Sequence, residues 1–209
     1  MTFEELSKDP KVLYVYETGP QIYGLFEGVD RRKFTIICED GYSPDIESTR
    51  EKEYTVYPMK TWFEMVMSGN MLAWICACLN KKFIHKEAVK LLLTTNPLQL
   101  RKEYDRLKIN VMRDAPVNIA EGNFLTLQKQ IWELYKYLKF ANQIIENHKI
   151  VNFKCVAAKY NELVTGEEMT YEQFSTLLDN NDELKVFKGY TDEILKQDKI
   201  KRALQNANL

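Results

Sequence analysis

The chain has 209 residues, 29 Lys plus Arg against 30 Asp plus Glu, a formal net charge of −1, four cysteines and two histidines. That length supports a core of ordinary size in one large domain or two small ones, and the near-neutral balance shows no broad electrostatic footprint for nucleic acid, leaving room only for local basic patches. The cysteines lack Cys-x-x-Cys spacing and the chain has only two histidines, His85 and His148, so reduced, buried thiols are expected in preference to a zinc site.

No apolar run reaches membrane-spanning length and no charged-then-apolar leader opens the chain, which predicts a cytoplasmic protein with no membrane contact. In chain order, Thr2 to Ser7 reads as a short helix with Thr2 as cap and Glu4 and Glu5 near its positive end. Val12 to Tyr16 is a run of apolar and aromatic β-formers, which predicts a strand buried on both faces. Thr18-Gly19-Pro20 breaks it, and Pro20 suits the first turn of a short helix over Gln21 to Phe26. Phe34 to Cys38 resumes the strand pattern, so the unit reads as a hairpin with a helical excursion between its strands. Gly41 to Lys52 is a polar loop, and Tyr54 to Tyr57 is a third short strand closed by Pro58.

Two stretches carry a resemblance to a known family. The first is Gly19-Pro20-Gln21-Ile22-Tyr23-Gly24 followed by Val29-Asp30-Arg31-Arg32-Lys33-Phe34. The second runs from Tyr54 to Asn70, a strand and then a helix ending in Ser68-Gly69-Asn70. Together they are similar to the start of a nucleotidyltransferase domain of the polymerase-β superfamily, as found in predicted nucleotidyltransferases of bacteria and phages. The resemblance covers roughly the first 95 residues and implies a small mixed sheet with that family's topology, packed on helices.

The departures from the family pattern bear on chemistry. The family's Gly-Ser cradles nucleotide phosphates with backbone amides and a hydroxyl, and Pro20 removes both donors. Its paired aspartates, at i and i+2, hold two divalent cations. Here the pair is Asp30 and Arg32, with Arg31 and Lys33 beside it. The resemblance implies Glu53 as the third carboxylate, so Asp30 and Glu53 are the candidate catalytic and metal-binding residues. Asp40, Asp45 and Glu47 are possible supplements.

Beyond the third strand the pattern turns helical. Met59, Trp62, Phe63, Val66 and Met67 form one apolar stripe, ended by Gly69-Asn70. Met71 to Leu79 is apolar nearly all round and is either a buried helix or a partner surface. Lys86 to Leu93 predicts a helix, and Asn96 caps another at Pro97, with Leu100, Tyr104 and Leu107 inward. Val111 to Asn123, holding Pro116 and Gly122, reads as a connector. Phe124 to Asn147 keeps the i, i+3, i+4 rhythm as the longest helix. Lys129, Lys136 and Lys139 with Tyr137 are either a basic-aromatic stripe or a solvated face. Val151 to Tyr160 predicts a helix, Thr170 to Gln173 is a capping box, and Gly189 precedes a last helix, Tyr190 to Gln205.

The fold class expected is therefore α+β, with a nucleotidyltransferase-like domain over 1–95 and a helical extension over 96–209 sharing its core. The leading functional expectation is a non-catalytic binding protein on a degenerate nucleotidyltransferase fold. Gly19, Pro20, Gln21, Tyr23, Gly24, Arg31, Arg32 and Lys33 would form its nucleotide- or partner-binding surface, because guanidinium groups grip oxyanions without metal. The phage resemblance implies a host (defence) factor, or nucleotide or nucleic acid, as partner, and no cofactor is expected. The alternative is an active nucleotidyltransferase using Mg²⁺ or Mn²⁺ to move a nucleoside monophosphate to RNA, protein or a small hydroxyl. A third reading makes the cleft vestigial and Met71 to Leu79 the partner surface.

Overall fold

The computed structural model of the protein describes residues 3–6, 8–25, 32–79 and 97–207. Asp30, Arg31, the Thr2 and Asn96 caps and the predicted helix Lys86 to Leu93 lie outside the described residues. The chain divides into two compact units, one of residues 1–95 and 147–157 and one of residues 96–146 and 158–209. Both sheet and helices are present, so the chain is α+β.

The first unit holds helix α1 (Phe3–Leu6), strands β1 (Val12–Glu17), β2 (Arg32–Cys38) and β3 (Lys52–Pro58), and helices α2 (Met59–Met67) and α3 (Met71–Leu79). The strands lie in the order β1-β2-β3, with β1 antiparallel and β3 parallel to β2. The central strand is β2, and Phe34 to Cys38 is buried throughout. The expectation of a doubly buried β1 is corrected here: among the described residues β1 is an edge strand, and it is mostly half-buried. A run of β-formers marks a strand but not its place in the sheet, which depends on pairing with distant residues.

Alternation along the strands sorts side chains to two faces. One face gathers Leu6, Ile36 and Cys38, with Val12, Val15, Tyr42, Ile46, Tyr54 and Val56 packed around them. On the other lies Thr35, paired with Tyr16 and Thr55. Thr35 hydrogen-bonds the Cys76 thiol of α3 and meets the Thr18 hydroxyl at 3.1 Å. Helix α3 is a core helix: Ala73, Trp74, Ile75, Cys76 and Ala77 are buried, and the Trp74 indole N–H donates to the Val66 carbonyl at 2.7 Å. Met71 to Leu79 is therefore not an open partner surface. In α2, Trp62 and Val66 are buried, but Met67, placed on the same stripe, is 67% exposed. Gly69 takes a positive φ of 83° after α2, and Asn70 Oδ1 then accepts the Ala73 amide at the start of α3. Among the described residues no single helix is long and apolar enough to cross a membrane.

The second unit is helical: α4 (Pro97–Ala120), α5 (Phe124–Asn147), α6 (Ala157–Leu163), α7 (Tyr171–Asp179) and α8 (Asp182–Ala207). Two breaks expected from sequence are absent. Helix α4 runs through Pro116, so the connector shrinks to Glu121-Gly122-Asn123. Proline removes one intrahelical donor, and the roughly five turns that precede it, with Leu100, Tyr104 and Ala115 buried, carry the helix past it. Helix α8 likewise runs through Gly189, since one glycine costs a helix only about 1 kcal/mol. Helix α5 has the predicted bounds, and the Thr170/Gln173 capping box opens α7.

Of the two readings of Lys129, Lys136, Tyr137 and Lys139 on α5, neither a basic-aromatic stripe nor a solvated face holds for Lys136 and Tyr137, while Lys129 is exposed. Tyr137 is buried and its hydroxyl donates to the Leu100 carbonyl at 3.1 Å. Lys136 is also buried, its ammonium 4.4 Å from the Trp132 ring centroid and paired with Glu133 at 2.5 Å. Lys139 is held by Glu183 at 2.5 Å. The stretch from Val151 begins as an irregular segment and a 3-10 turn, Phe153–Val156, before α6 starts at Ala157.

Candidate functional site

Among the described residues, the Gly19–Gly24 turn, Arg32 and Lys33 lie at one end of the β1–β2 pair, with Glu53 beside Lys33 on β3. After β1, the Thr18 amide donates to the Lys33 carbonyl at 2.8 Å, so the turn leaves the sheet alongside β2. Pro20–Tyr23 forms a 3-10 turn with Pro20 at its first position, where a missing amide costs least. The Leu25 amide reaches back to the Pro20 carbonyl at 3.3 Å and the Gly24 amide to the Gln21 carbonyl at 3.0 Å. Gly24 has φ +80°, a region glycine enters without strain, and the Lys154 side chain packs over it. Gly19 allows a close approach: a Cβ there would stand 2.3 Å from Oε1 at the end of the flexible Gln21 side chain and 3.2 Å from the Lys33 amide nitrogen.

Gln21 thus folds its side chain over Gly19, in the space a larger residue at 19 would need. Its Oε1 is buried and has no hydrogen-bond partner among the described residues. Tyr23 is buried beneath the turn. The turn is packed with its own side chains and against the second 3-10 turn of the same unit.

The basic residues at the start of β2 are held by carboxylates from both neighbouring strands. Arg32 makes a bidentate pair with Glu17 of β1, Nε to Oε1 at 2.7 Å and Nη2 to Oε2 at 2.8 Å, and its guanidinium lies 5.2 Å from the Phe34 ring centroid. The hydrogen bond from Arg32 keeps the Glu17 carboxyl below the usual carboxylate range, and raises the guanidinium in return. Lys33 Nζ stands 3.3 Å from Oε2 of Glu53, its register partner on β3.

These pairs place positions 32 and 53 on opposite faces of the sheet. Lys33 and Glu53 point to the same side, whereas Arg32 shares its side with Phe34 and Glu17. The sheet therefore does not bring position 32 and Glu53 together, and the carboxylate nearest a metal-binding role already has an ammonium against it. Asp40 serves elsewhere, its Oδ1 accepting the Lys60 amide at 2.9 Å to cap α2, and Asp45 and Glu47 are exposed loop residues. Among the described residues no three His, Cys, Asp or Glu side chains converge as a metal site.

Glu17 was missed in sequence. Its role depends on a hairpin register that sets residue 17 beside 32, and the one available signal was a glutamate ending one strand and an arginine opening the next. No protein-family model, curated protein or solved structure matches the chain.

Proposed function

We propose that this protein is a non-catalytic binding protein, built on a nucleotidyltransferase-like sheet whose metal-carrying positions have been rewired as cross-strand ion pairs. The observation that supports this reading is the pairing of Lys33 with Glu53 and of Arg32 with Glu17. A two-metal centre gathers carboxylates on one side of the sheet to neutralise two cations. Here a fixed ammonium neutralises Glu53 and a guanidinium stands where a second carboxylate would be. The reading builds on a small mixed sheet, β1-β2-β3, with a short helical turn between its antiparallel strands.

A protein is the preferred partner. Arg32 and Lys33 are each committed to a carboxylate, which weakens them as grips for free phosphate, and Gln21 fills the space over Gly19. The phage resemblance puts a cytoplasmic host factor, a defence protein among them, first among such partners.

Thermal unfolding with each nucleoside triphosphate, with and without Mg²⁺ or Mn²⁺, tests the reading. A ligand at about 100 times its dissociation constant adds roughly 2.7 kcal/mol of stability, or roughly 5–11 °C for a chain of this size. The expected result is no metal-dependent shift. A shift of that size with one triphosphate and metal, lost in Asp30→Asn, would overturn the proposal in favour of a working enzyme.

A further inference from the structure

In the helical unit, a groove of about 580 Å³ runs between the end of α6, the loop 164–170, the first turns of α7 and Gln128 of α5. Leu163, Met169 and Leu177 give it an apolar wall, with Leu163 buried and the other two half-buried. Glu162, Glu167, Glu168 and Glu172 stand around it, and no lysine or arginine among the described residues lines it.

Two observations separate this groove from an ordinary acidic surface. The first is the state of its carboxylates. Elsewhere in this unit every carboxylate whose side chain is described has a hydrogen-bonding or ionic partner, as Asp179 has Lys108, Glu183 has Lys139 and Glu133 has Lys136. Glu162 is also matched, by Lys159. The three carboxylates without such a partner among the described residues, Glu167, Glu168 and Glu172, all stand at this groove. Glu172 gains something from the first turn of α7, where a helix favours negative charge. Glu167 and Glu168 precede the helix.

The second observation is that the loop is fastened in place. Gln128 is 2% exposed; its Oε1 accepts the Gly166 amide at 2.8 Å and its Nε2 donates to the Glu167 carbonyl at 3.0 Å. The capping box then fixes where α7 begins, with the Gln173 amide on Thr170 Oγ1 at 3.2 Å and the Thr170 amide on Gln173 Oε1 at 2.8 Å. Three like charges are thus held beside an apolar wall without a counter-charge among the described residues, although the other described acids of the unit are paired. A preformed groove of this size has the dimensions of a recognition site, and its preorganisation lowers the ordering cost of binding.

We propose that this groove docks a basic amphipathic segment of a partner protein, its lysines or arginines meeting Glu167, Glu168 and Glu172 and an apolar side chain resting on Leu163, Met169 and Leu177. Charge complementarity selects that occupant. An acidic or neutral segment would leave the three carboxylates unmatched, and a wholly polar cation would leave the apolar wall wet.

The test uses the full chain and a fluorescent peptide of lysine and arginine around two leucines, read by anisotropy. Saturable binding is expected, weakening as NaCl rises from about 50 to about 300 mM because exposed pairs are screened. Glu167→Gln/Glu168→Gln/Glu172→Gln should lower affinity roughly 3- to 100-fold, the range for losing three exposed ion pairs. Glu121→Gln/Glu193→Gln, which removes two acids elsewhere in the unit, should change it less than twofold. Leu177→Ser checks the apolar wall and should also weaken binding, with circular dichroism confirming that each variant is folded. The proposal is overturned if the peptide does not bind at low salt, if the triple variant binds as well as the parent, or if an acidic peptide of the same length binds equally. It is also overturned if spermine or Ca²⁺ binds at the three glutamates while the peptide does not, which would make the groove a small-cation site.

Discussion

Cys76 lies wholly buried on α3 with its thiol hydrogen-bonded to Thr35. Burial pushes that thiol up from an ordinary value of 9.0 to about 12, because a thiolate there would lose its hydration. The thiol is therefore protonated and inert across the physiological range. We expect Cys76 and buried Cys38 to resist a thiol-specific reagent at about pH 8 in the native protein and to react on unfolding. Fast native labelling of Cys76, mapped by mass spectrometry, would refute this. The linkage has a definite sign. A raised folded-state value means that the stability contribution is complete below about pH 9 and is lost as pH rises towards about 12. Tyr104 in the helical unit, pushed up to about 12 by burial, works in the same direction over the range above 10. Glu17 acts at the acid end. Its carboxyl is held low by Arg32, so its contribution is present above the ordinary carboxylate range and fades as pH falls through the lowered value.

Among the elements, α7 shows how a short helix is secured by its first residues. It spans Tyr171–Asp179 and buries Phe174 and Leu178, while both bonds of its capping box are made. Thr170→Ala removes the side-chain acceptor for the Gln173 amide, and we expect a loss of about 1 kcal/mol in urea unfolding with an unchanged m-value. Thr170→Ser should recover most of it. Strand β2 shows the opposite dependence. Its place at the centre of the sheet rests on long-range pairing with Val12–Glu17 on one side and Lys52–Pro58 on the other. Helix α4 combines the two kinds of control: buried residues along its length carry it through a proline that local propensity alone would treat as a stop.

For the whole molecule, the formal net charge of −1 is the balance of 29 basic and 30 acidic residues. Ion pairs such as Arg32–Glu17 and Lys33–Glu53 occupy exposed or half-exposed positions, with Arg32 and Lys33 about half exposed. Pairs of that exposure contribute roughly 0–1 kcal/mol each after solvent screening. Arg32→Ala/Lys33→Ala should therefore leave the unfolding midpoint within a few degrees of the parent, as read by differential scanning calorimetry. A much larger fall would show that these residues hold the sheet together and would remove the case for a repurposed surface. Partner binding by the same double variant then reports function without a stability artefact.

How much was legible in advance depended on whether a feature is written in neighbouring residues. Helix α5 is legible from Phe124 to about Asn147 because its apolar side chains repeat every turn for over six turns. The α7 capping box and the 3-10 turn at Pro20 were likewise local, as was the burial of α3, whose residues leave no polar face. The sequence by itself also determined the three strands, from short β-forming runs between Gly, Pro and charged loops. What only the tertiary structure decided is which groups meet. Glu17 finds Arg32 and Glu53 finds Lys33 through strand register, and register also puts positions 32 and 53 on opposite faces. Helix α4 passes Pro116 and α8 passes Gly189, which side-chain packing and helix length permit even where the local residues favour a break. Tyr137 and Lys136 are interior rather than surface residues, because the helices around α5 cover more of it than its apolar stripe alone predicts. Local propensities are set within a few residues, whereas register, burial and charge pairing belong to residues that only folding brings together.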